Sequence, residues 1–207
     1  MKTDVRIALT ARAPVAGQCK TRLIPRLGAQ GAARLHAALV ERALREIAVT
    51  GLPAELWCDP SARDPFLVAS ARKFGAALRE QGDGDLGERM ARIFMTATAP
   101  LLLMGSDCPT IDAALLARCA NELADGAPAV FLPAEDGGYG LVGLRAPIPE
   151  IFADMPWGTD AVMALTRERL AMRGVPMCEP AVVWDVDWPA DVDRLAATGF
   201  PIPAFAD

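Results

Sequence analysis

The sequence holds one histidine, one tyrosine and five cysteines in 207 residues, and each scarcity removes a class of chemistry. The single imidazole, His36, lies inside a long helical pattern. It reads as a packed or exposed helix residue rather than a base, which disfavours histidine-dependent triads. Cys19, Cys58, Cys108, Cys119 and Cys178 are odd in number, form no C-x-x-C pair and lack histidine neighbours. No zinc site is expected, and reduced thiols in a cytosolic protein fit best. The longest apolar stretches, such as PLLLMG at 100–105, are too short to span a bilayer, and no basic-then-apolar leader opens the chain. The expectation is therefore a cytoplasmic protein without a membrane span. A cationic excess is missing as well: the net charge is −5, which argues against a broad basic face for nucleic acid. Internal repeats and low-complexity linkers are absent, so one domain over 1–207 is expected, with an irregular tail from about residue 200 to 207.

Among the residues that are present, 52% are hydrophobic, enough for a substantial core. Short apolar runs alternate with helical patterns. VRIALTA at 5–11, ELWC at 55–58, PLLLMGS at 100–106, AVFLP at 129–133, YGLVGL at 139–144 and AVVWDV at 181–186 read as strands. Helices are predicted over 29–49, 65–74, 86–98, 112–124, 159–172 and 190–197, with strand-like pieces between those at 65–74, 86–98 and 112–124. In the first of these Leu35, Leu39, Ala43 and Ile47 recur every four residues, an apolar stripe that should pack on a sheet. This alternation predicts an α/β fold with a mainly parallel sheet, whose ligands gather beyond the carboxyl ends of its strands.

The segment after the first strand, APVAGQCKTRL, brings Gly17, Lys20 and Arg22 together just beyond Arg12. It is not a Walker loop. That spacing would need glycines where Pro14 and Cys19 stand, and Pro25 would fall inside the helix that must follow. What remains is a loop with three cations and one glycine, suited to anionic oxygens; a solvated surface loop is the competing interpretation.

Two carboxylate positions stand at strand ends. Asp107 follows PLLLMG and precedes Pro109, where it could hold a metal or cap the helix starting near Asp112. In WDVDWP, Asp185 and Asp187 alternate, so on a strand only one can face the site. Asp187, nearer the strand end, is the favoured ligand; the competing role is capping of the last helix, which Asp187 or Asp191 could do. Magnesium takes one or two protein carboxylates and completes its shell with water and phosphate oxygens, so two remote aspartates and a basic loop suffice. EDGGYG at 135–140 reads as a hairpin turn that could turn Asp136 into the cleft, and QGDGDLGERM at 81–90 as a glycine-rich loop able to wrap a base or ribose or to be a plain turn. Trp157, in PWGTD, could stack on a ligand.

Taken in order, APVAGQCKTRL, QGDGDLGERM, GSDCPT, PAEDGGYGLVGL, PWGTD and DVDWPADVDRL cover nearly the whole chain. They resemble the GT-A-type nucleotide-diphospho-sugar transferase superfamily, and within it the bacterial DUF2064 group, which is similar to phospholactate guanylyltransferases. The resemblance implies a three-layer α/β/α sandwich with a mainly parallel mixed sheet, Rossmann-like in its nucleotide binding. It implies a transferase using a nucleotide or nucleotide-sugar donor, a small-molecule acceptor and Mg2+ or Mn2+. Carried over residue by residue, Arg12, Gly17, Lys20 and Arg22 would hold phosphates, and Gln81, Gly82, Leu86 and Gly87 would line the nucleotide pocket. Asp107 and Asp187 would bind the metal, and Lys20, Arg22 and Asp107 would carry catalysis. Asp136, Gly137, Gly138, Trp157 and Thr159 would border the acceptor, with Gly158 completing a W-G-T segment. Two departures stand out: Trp188 replaces the usual threonine before the final proline, and GSDCP carries one aspartate where many sugar transferases have two. The second weakens glycosyl relative to nucleotidyl transfer without deciding between them. A nucleotide-sensing module without turnover is the reading from another class. A separation beyond about 8 Å between Asp107 and Asp187 would favour it, because the two could not then share one ion.

Overall fold

Side chains on a strand alternate between two faces, and in β1 (Arg6–Arg12) Ile7, Leu9 and Ala11 join one apolar cluster while Ala8 joins another. Both faces of the sheet are therefore covered, as a buried parallel strand requires. The structure is a computed structural model described for residues 4–202; residues 203–207, most of the expected irregular tail, lie outside the described residues.

After β1 the chain forms α1 (Ile24–Thr50), β2 (Ala54–Asp59), α2 (Pro65–Phe74), β3 (Ala77–Glu80), α3 (Leu86–Thr96), β4 (Leu101–Gly105) and α4 (Ala113–Ala124). It continues through β5 (Ala129–Pro133), β6 (Tyr139–Leu144), α5 (Val162–Met172), β7 (Met177–Cys178) and α6 (Pro189–Ala197). The seven strands make one sheet in the order β3-β2-β1-β4-β6-β5-β7. β6 alone runs antiparallel to its neighbours. On one face, α1, α2 and α4 bury Val40, Leu44, Leu67, Leu116 and Leu123 against β1, β2, β4 and β5. On the other, α3 and α5 bury Ile93, Phe94, Met163 and Leu170. This is the expected three-layer α/β/α arrangement. A third cluster joins the first half of α1 to α6 through Leu35, Leu39, Val192 and Leu195.

The chain leaves β1 toward β2 and β3 on one side and returns to β4 on the other, so the strand order reverses between β1 and β4. In an open α/β sheet that reversal opens a crevice at the carboxyl ends. The two segments flanking it are the loop after Arg12 and the turn that carries Asp107.

Several elements differ from the sequence-based expectation. β7 was not expected, and β3 was expected only as a strand-like piece without bounds between the helices at 65–74 and 86–98. Conversely, 181–186 is not a strand: Val183 makes a single parallel bridge to Ala134, after which Val186 N–H donates to the carbonyl of Asp107 at 3.0 Å. The segment crosses from the end of β5 to the end of β4 instead of running along either, so its apolar residues serve the core without a ladder. α5 begins at Val162 rather than 159, because Thr159 is held in the preceding turn by a 2.8 Å hydrogen bond from its hydroxyl to Pro156 O. Within α1 the backbone is non-helical at Gly28, so the regular helix starts at Ala29 as expected.

Candidate active site

The loop after β1 turns on Lys20, whose backbone is left-handed at φ 47°, an uncommon conformation for a residue with a side chain. That turn sends the Lys20 side chain inward until only 6% of it is exposed. Its ammonium meets Asp107 Oδ2 at 3.0 Å, Asp187 Oδ1 at 3.0 Å and the carbonyl of Val186 at 2.7 Å. Burial alone would lower the lysine pKa, but the two carboxylates outweigh it and hold it above its ordinary value. Arg22 donates to the other oxygen of Asp187 at 2.8 Å and lies over the Trp188 ring at 4.9 Å. The residue that departs from the family's threonine thus supports one of the basic-loop cations.

Both carboxylates are released from the capping roles open to them. Asp112 caps α4, accepting from Leu115 N–H at 2.8 Å, which leaves Asp107 in the crevice with Ser106 donating to its Oδ1 at 3.1 Å. Burial pushes the Asp107 carboxyl up, but the Lys20 charge prevails and keeps it below the usual range. At the start of α6 the capping carboxylate is Asp191, which accepts from the Asp187 and Trp188 N–H groups.

A cavity of about 400 Å³ opens beside this cluster. Arg12, Asp59, Gln81, Leu86 and Met90 line one lobe, and Asp136, Gly138, Tyr139, Trp157, Gly158 and Thr159 the other. Asp107 and Asp185 also line it. Lys20, Arg22 and Asp187 line an adjoining hollow that shares Arg12, His36 and Asp107 with the cavity. Because 181–186 is not a strand, both acids of WDVDWP reach the site: Asp185 on the cavity, Asp187 on the basic hollow. Only one was expected to. Burial, with Asp187 and Asp136 nearby, pushes the Asp185 carboxyl up to about 6.

Gly17, Gly82, Gly87 and Gly137, expected at the site, line neither space. Gly137 has φ +90°, and a Cβ there would strike the backbone of Asp160. This close approach seats the turn after β5 against the PWGTD segment, and Met163 N–H donates to Gly137 O at 2.8 Å.

Sequence reasoning set His36 aside as a packed or exposed helix residue and did not single out Asp59, Arg89 or Tyr139, all of which are brought to the site. His36 is buried, with Nε2 2.9 Å from the carbonyl of Arg12 and Nδ1 unpartnered; burial lowers its pKa. Asp59 and Arg89 join Arg12 in an ion-paired group. Tyr139 OH and Trp157 Nε1 are also buried without partners. Buried polar groups in native proteins are nearly all paired, so orphan polar atoms in the walls of one cavity are the expected mark of a site awaiting a polar ligand.

The donor set also fits a hard divalent ion. The Lys20 contacts put one oxygen of Asp107 and one of Asp187 no more than twice 3.0 Å apart, short of the roughly 8 Å beyond which the two could not share an ion. The position between them already holds a cation, the ammonium. Among the described residues no three carboxylate, thiol or imidazole groups converge on one point, consistent with an ion whose shell is completed by water and phosphate.

The comparisons with known proteins bear on family and fold. Residues 34–159 match the family described as uncharacterized protein conserved in bacteria (DUF2064). The chain is 33% identical over 189 residues to a phosphoenolpyruvate guanylyltransferase of Rubrobacter xylanophilus, covering 87% of this chain and 88% of that protein. A structure from Desulfovibrio desulfuricans G20, classed as a nucleotide-diphospho-sugar transferase, superposes with a TM-score of 0.84 at 28% identity over 95% of this chain and 88% of that one. Glucosyl-3-phosphoglycerate synthase from Mycobacterium tuberculosis, solved with Mn2+, UDP and glucosyl-3-phosphoglycerate, shares the fold alone, with a TM-score of 0.56 at 13% identity over 95% of this chain and 80% of that one. The chain is thus a transferase with the fold of nucleotide-diphospho-sugar and nucleotidyl transferases, and it belongs to the bacterial DUF2064 family.

Proposed function

We propose that the protein is a Mg2+- or Mn2+-dependent nucleotidyltransferase that joins a nucleoside monophosphate to a small anionic acceptor and releases pyrophosphate. The observation that carries this reading is the Lys20 ammonium bridging Asp107 and Asp187 at the strand-order reversal, because that arrangement serves a polyphosphate and its counter-ion in one place. The guanylyl transfer named for the Rubrobacter relative favours nucleotidyl over glycosyl transfer and makes GTP the first donor, and phosphoenolpyruvate the first acceptor, to test.

In this mechanism Arg12, Lys20 and Arg22 grip the donor's phosphates while Gln81 and Leu86 border its base and ribose. Asp107 and Asp187 would hold the divalent ion, whose positive charge would draw electron density from the phosphoryl oxygens. In the other lobe Asp136, Gly138 and Thr159 border the acceptor, and the Tyr139 and Trp157 donors face its oxygens. One acceptor oxygen attacks the α-phosphorus in line; the bond to the bridging oxygen breaks and pyrophosphate departs. Lys20 and Arg22 stabilise the charge building on it, so positioning and electrostatics supply most of the rate. The five free thiols suit the reducing cytoplasm, and no described helix is long and apolar enough to cross a membrane.

The test is product analysis with each nucleoside triphosphate and a panel of nucleotide sugars, each with and without Mg2+, in the presence of phosphoenolpyruvate and other small phosphorylated acids. Metal-dependent pyrophosphate release is expected. Release of a nucleoside diphosphate from a nucleotide sugar would replace this reading with glycosyl transfer.

A further inference from the structure

From the row of polar residues at the carboxyl ends of β1, β2 and β3 we infer that Asp59 is the base-selecting residue of the nucleotide pocket, and that the base it selects is guanine. The assignment rests on the cavity being the nucleotide site. Arg12 and Asp59 are register partners on adjacent parallel strands. Gln81 continues the ladder next to Asp59, its N–H donating to Cys58 O at 3.0 Å. Parallel strands are about 4.8 Å apart, so the row spans roughly the long dimension of a purine.

The polar groups of the row are fixed in orientation. Gln81, 6% exposed, donates through Nε2 to Trp57 O at 2.9 Å, and its Oε1 accepts from Arg89 Nη1 at 3.4 Å. Arg89 is held by Gly84 O at 3.0 Å and turns the same Nη1 toward Asp59 Oδ2 at 3.6 Å. Arg12 Nε reaches that oxygen too, at 2.8 Å. Both cations therefore engage Oδ2, and Oδ1 carries none. A carboxylate paired with two guanidinium groups on a cavity wall offers only acceptors, so it recognises a base edge with neighbouring donors.

Guanine has that edge: N1–H and the 2-amino group stand side by side, with the O6 acceptor next to them. Adenine and cytosine would turn a ring-nitrogen lone pair toward the carboxylate, and uracil flanks its single N–H with two carbonyls. The Arg89 guanidinium beside Asp59 supplies the donor that O6 needs. Leu86 and Met90 line the same lobe and offer apolar contact to the faces of a flat ring.

The experiment is equilibrium binding of GTP, ITP, ATP, CTP and UTP to the full chain in the presence of Mg2+. ITP differs from GTP only in lacking the 2-amino group. A hydrogen bond to a charged acceptor predicts GTP tighter than ITP by about tenfold or more, with ATP, CTP and UTP weaker still. Asp59→Asn should bring GTP and ITP within about threefold of each other, with GTP losing more than ITP because ITP makes only the N1–H contact; a purely structural role for Asp59 would weaken every nucleotide alike and leave the ratio intact. Should that variant fail to fold, the wild-type series decides alone. GTP and ITP binding equally to wild type, or an unchanged ratio in Asp59→Asn, overturns the assignment while the nucleotide cavity stands. Failure of every nucleotide to bind overturns the cavity reading and this assignment with it.

Discussion

Asp107 and Asp112 stand five positions apart after β4, and only the second caps α4. That division of labour frees Asp107, yet it is invisible in the sequence, where either aspartate could serve. The same holds for Asp187 and Asp191. What settles each case is contact with Lys20, distant in the chain, which no local pattern encodes. The basic loop and the strand-end acids were legible as candidates because charge rarely gathers beside buried strands without a partner. Asp59 and Arg89 were not, because an acid ending one strand and an arginine on a later helix look like ordinary surface residues until β1, β2 and β3 are placed side by side. Asp107→Asn keeps the side-chain shape and removes its charge. Lys20, only 6% exposed, keeps Asp187 and the Val186 carbonyl as partners, so the stability loss should stay below the about 3–5 kcal/mol of a fully broken buried pair. Loss of a charge that organises the transition state should lower kcat/KM at least about 100-fold. Steady-state kinetics beside a melting curve checks both, and wild-type turnover in the variant would remove Asp107 from the site.

At the scale of elements, helices and central strands followed from periodicity, whereas of the sheet edges β3 was legible only as a piece without bounds and β7 not at all. β3 reads ALRE, half of it charged, and β7 has two residues. Edge strands that present short or polar segments avoid pairing with other chains, and the features that blunt an edge also hide it from hydropathy. The segment 181–186 erred the other way: buried Val183, Trp184 and Val186 imitate a strand, but the chain there bridges two loop ends. The turn after β5 is the element on which the acceptor lobe depends. In Gly137→Ala the new methyl would meet the Asp160 backbone at a φ that residues with side chains rarely adopt. The expected cost is about 2 kcal/mol, which for a chain of this size lowers Tm by roughly 4–8 °C. Because Asp160 follows the W-G-T segment, KM for the acceptor should rise more than KM for the nucleotide. Equal changes in the two would show that this turn does not shape the acceptor lobe.

Across the whole molecule, a sheet with one reversal of strand order gathers segments from the start, middle and end of the chain, and the site's electrostatics follow from that gathering. A protein of net charge −5 concentrates Arg12, Lys20, Arg22 and Arg89 around acids at this one edge, so its cations are paired internally until ligands arrive. A divalent ion entering alone must compete with the Lys20 ammonium between Asp107 and Asp187. A triphosphate entering alone meets those same carboxylates as like charges. When both enter, the ion answers the acids and Lys20 turns to the phosphates, so each ligand lowers the electrostatic cost of the other. Such coupling commonly amounts to 1–3 kcal/mol, and ligand binding to the folded state raises its stability accordingly. The rise in Tm with GTP and Mg2+ together should therefore exceed the sum of the separate rises by several degrees, and Asp107→Asn should shrink that excess. Thermal melts of both proteins under the four ligand conditions measure it. Strictly additive shifts in the wild type would mean that metal and phosphates do not meet at Asp107 and Asp187.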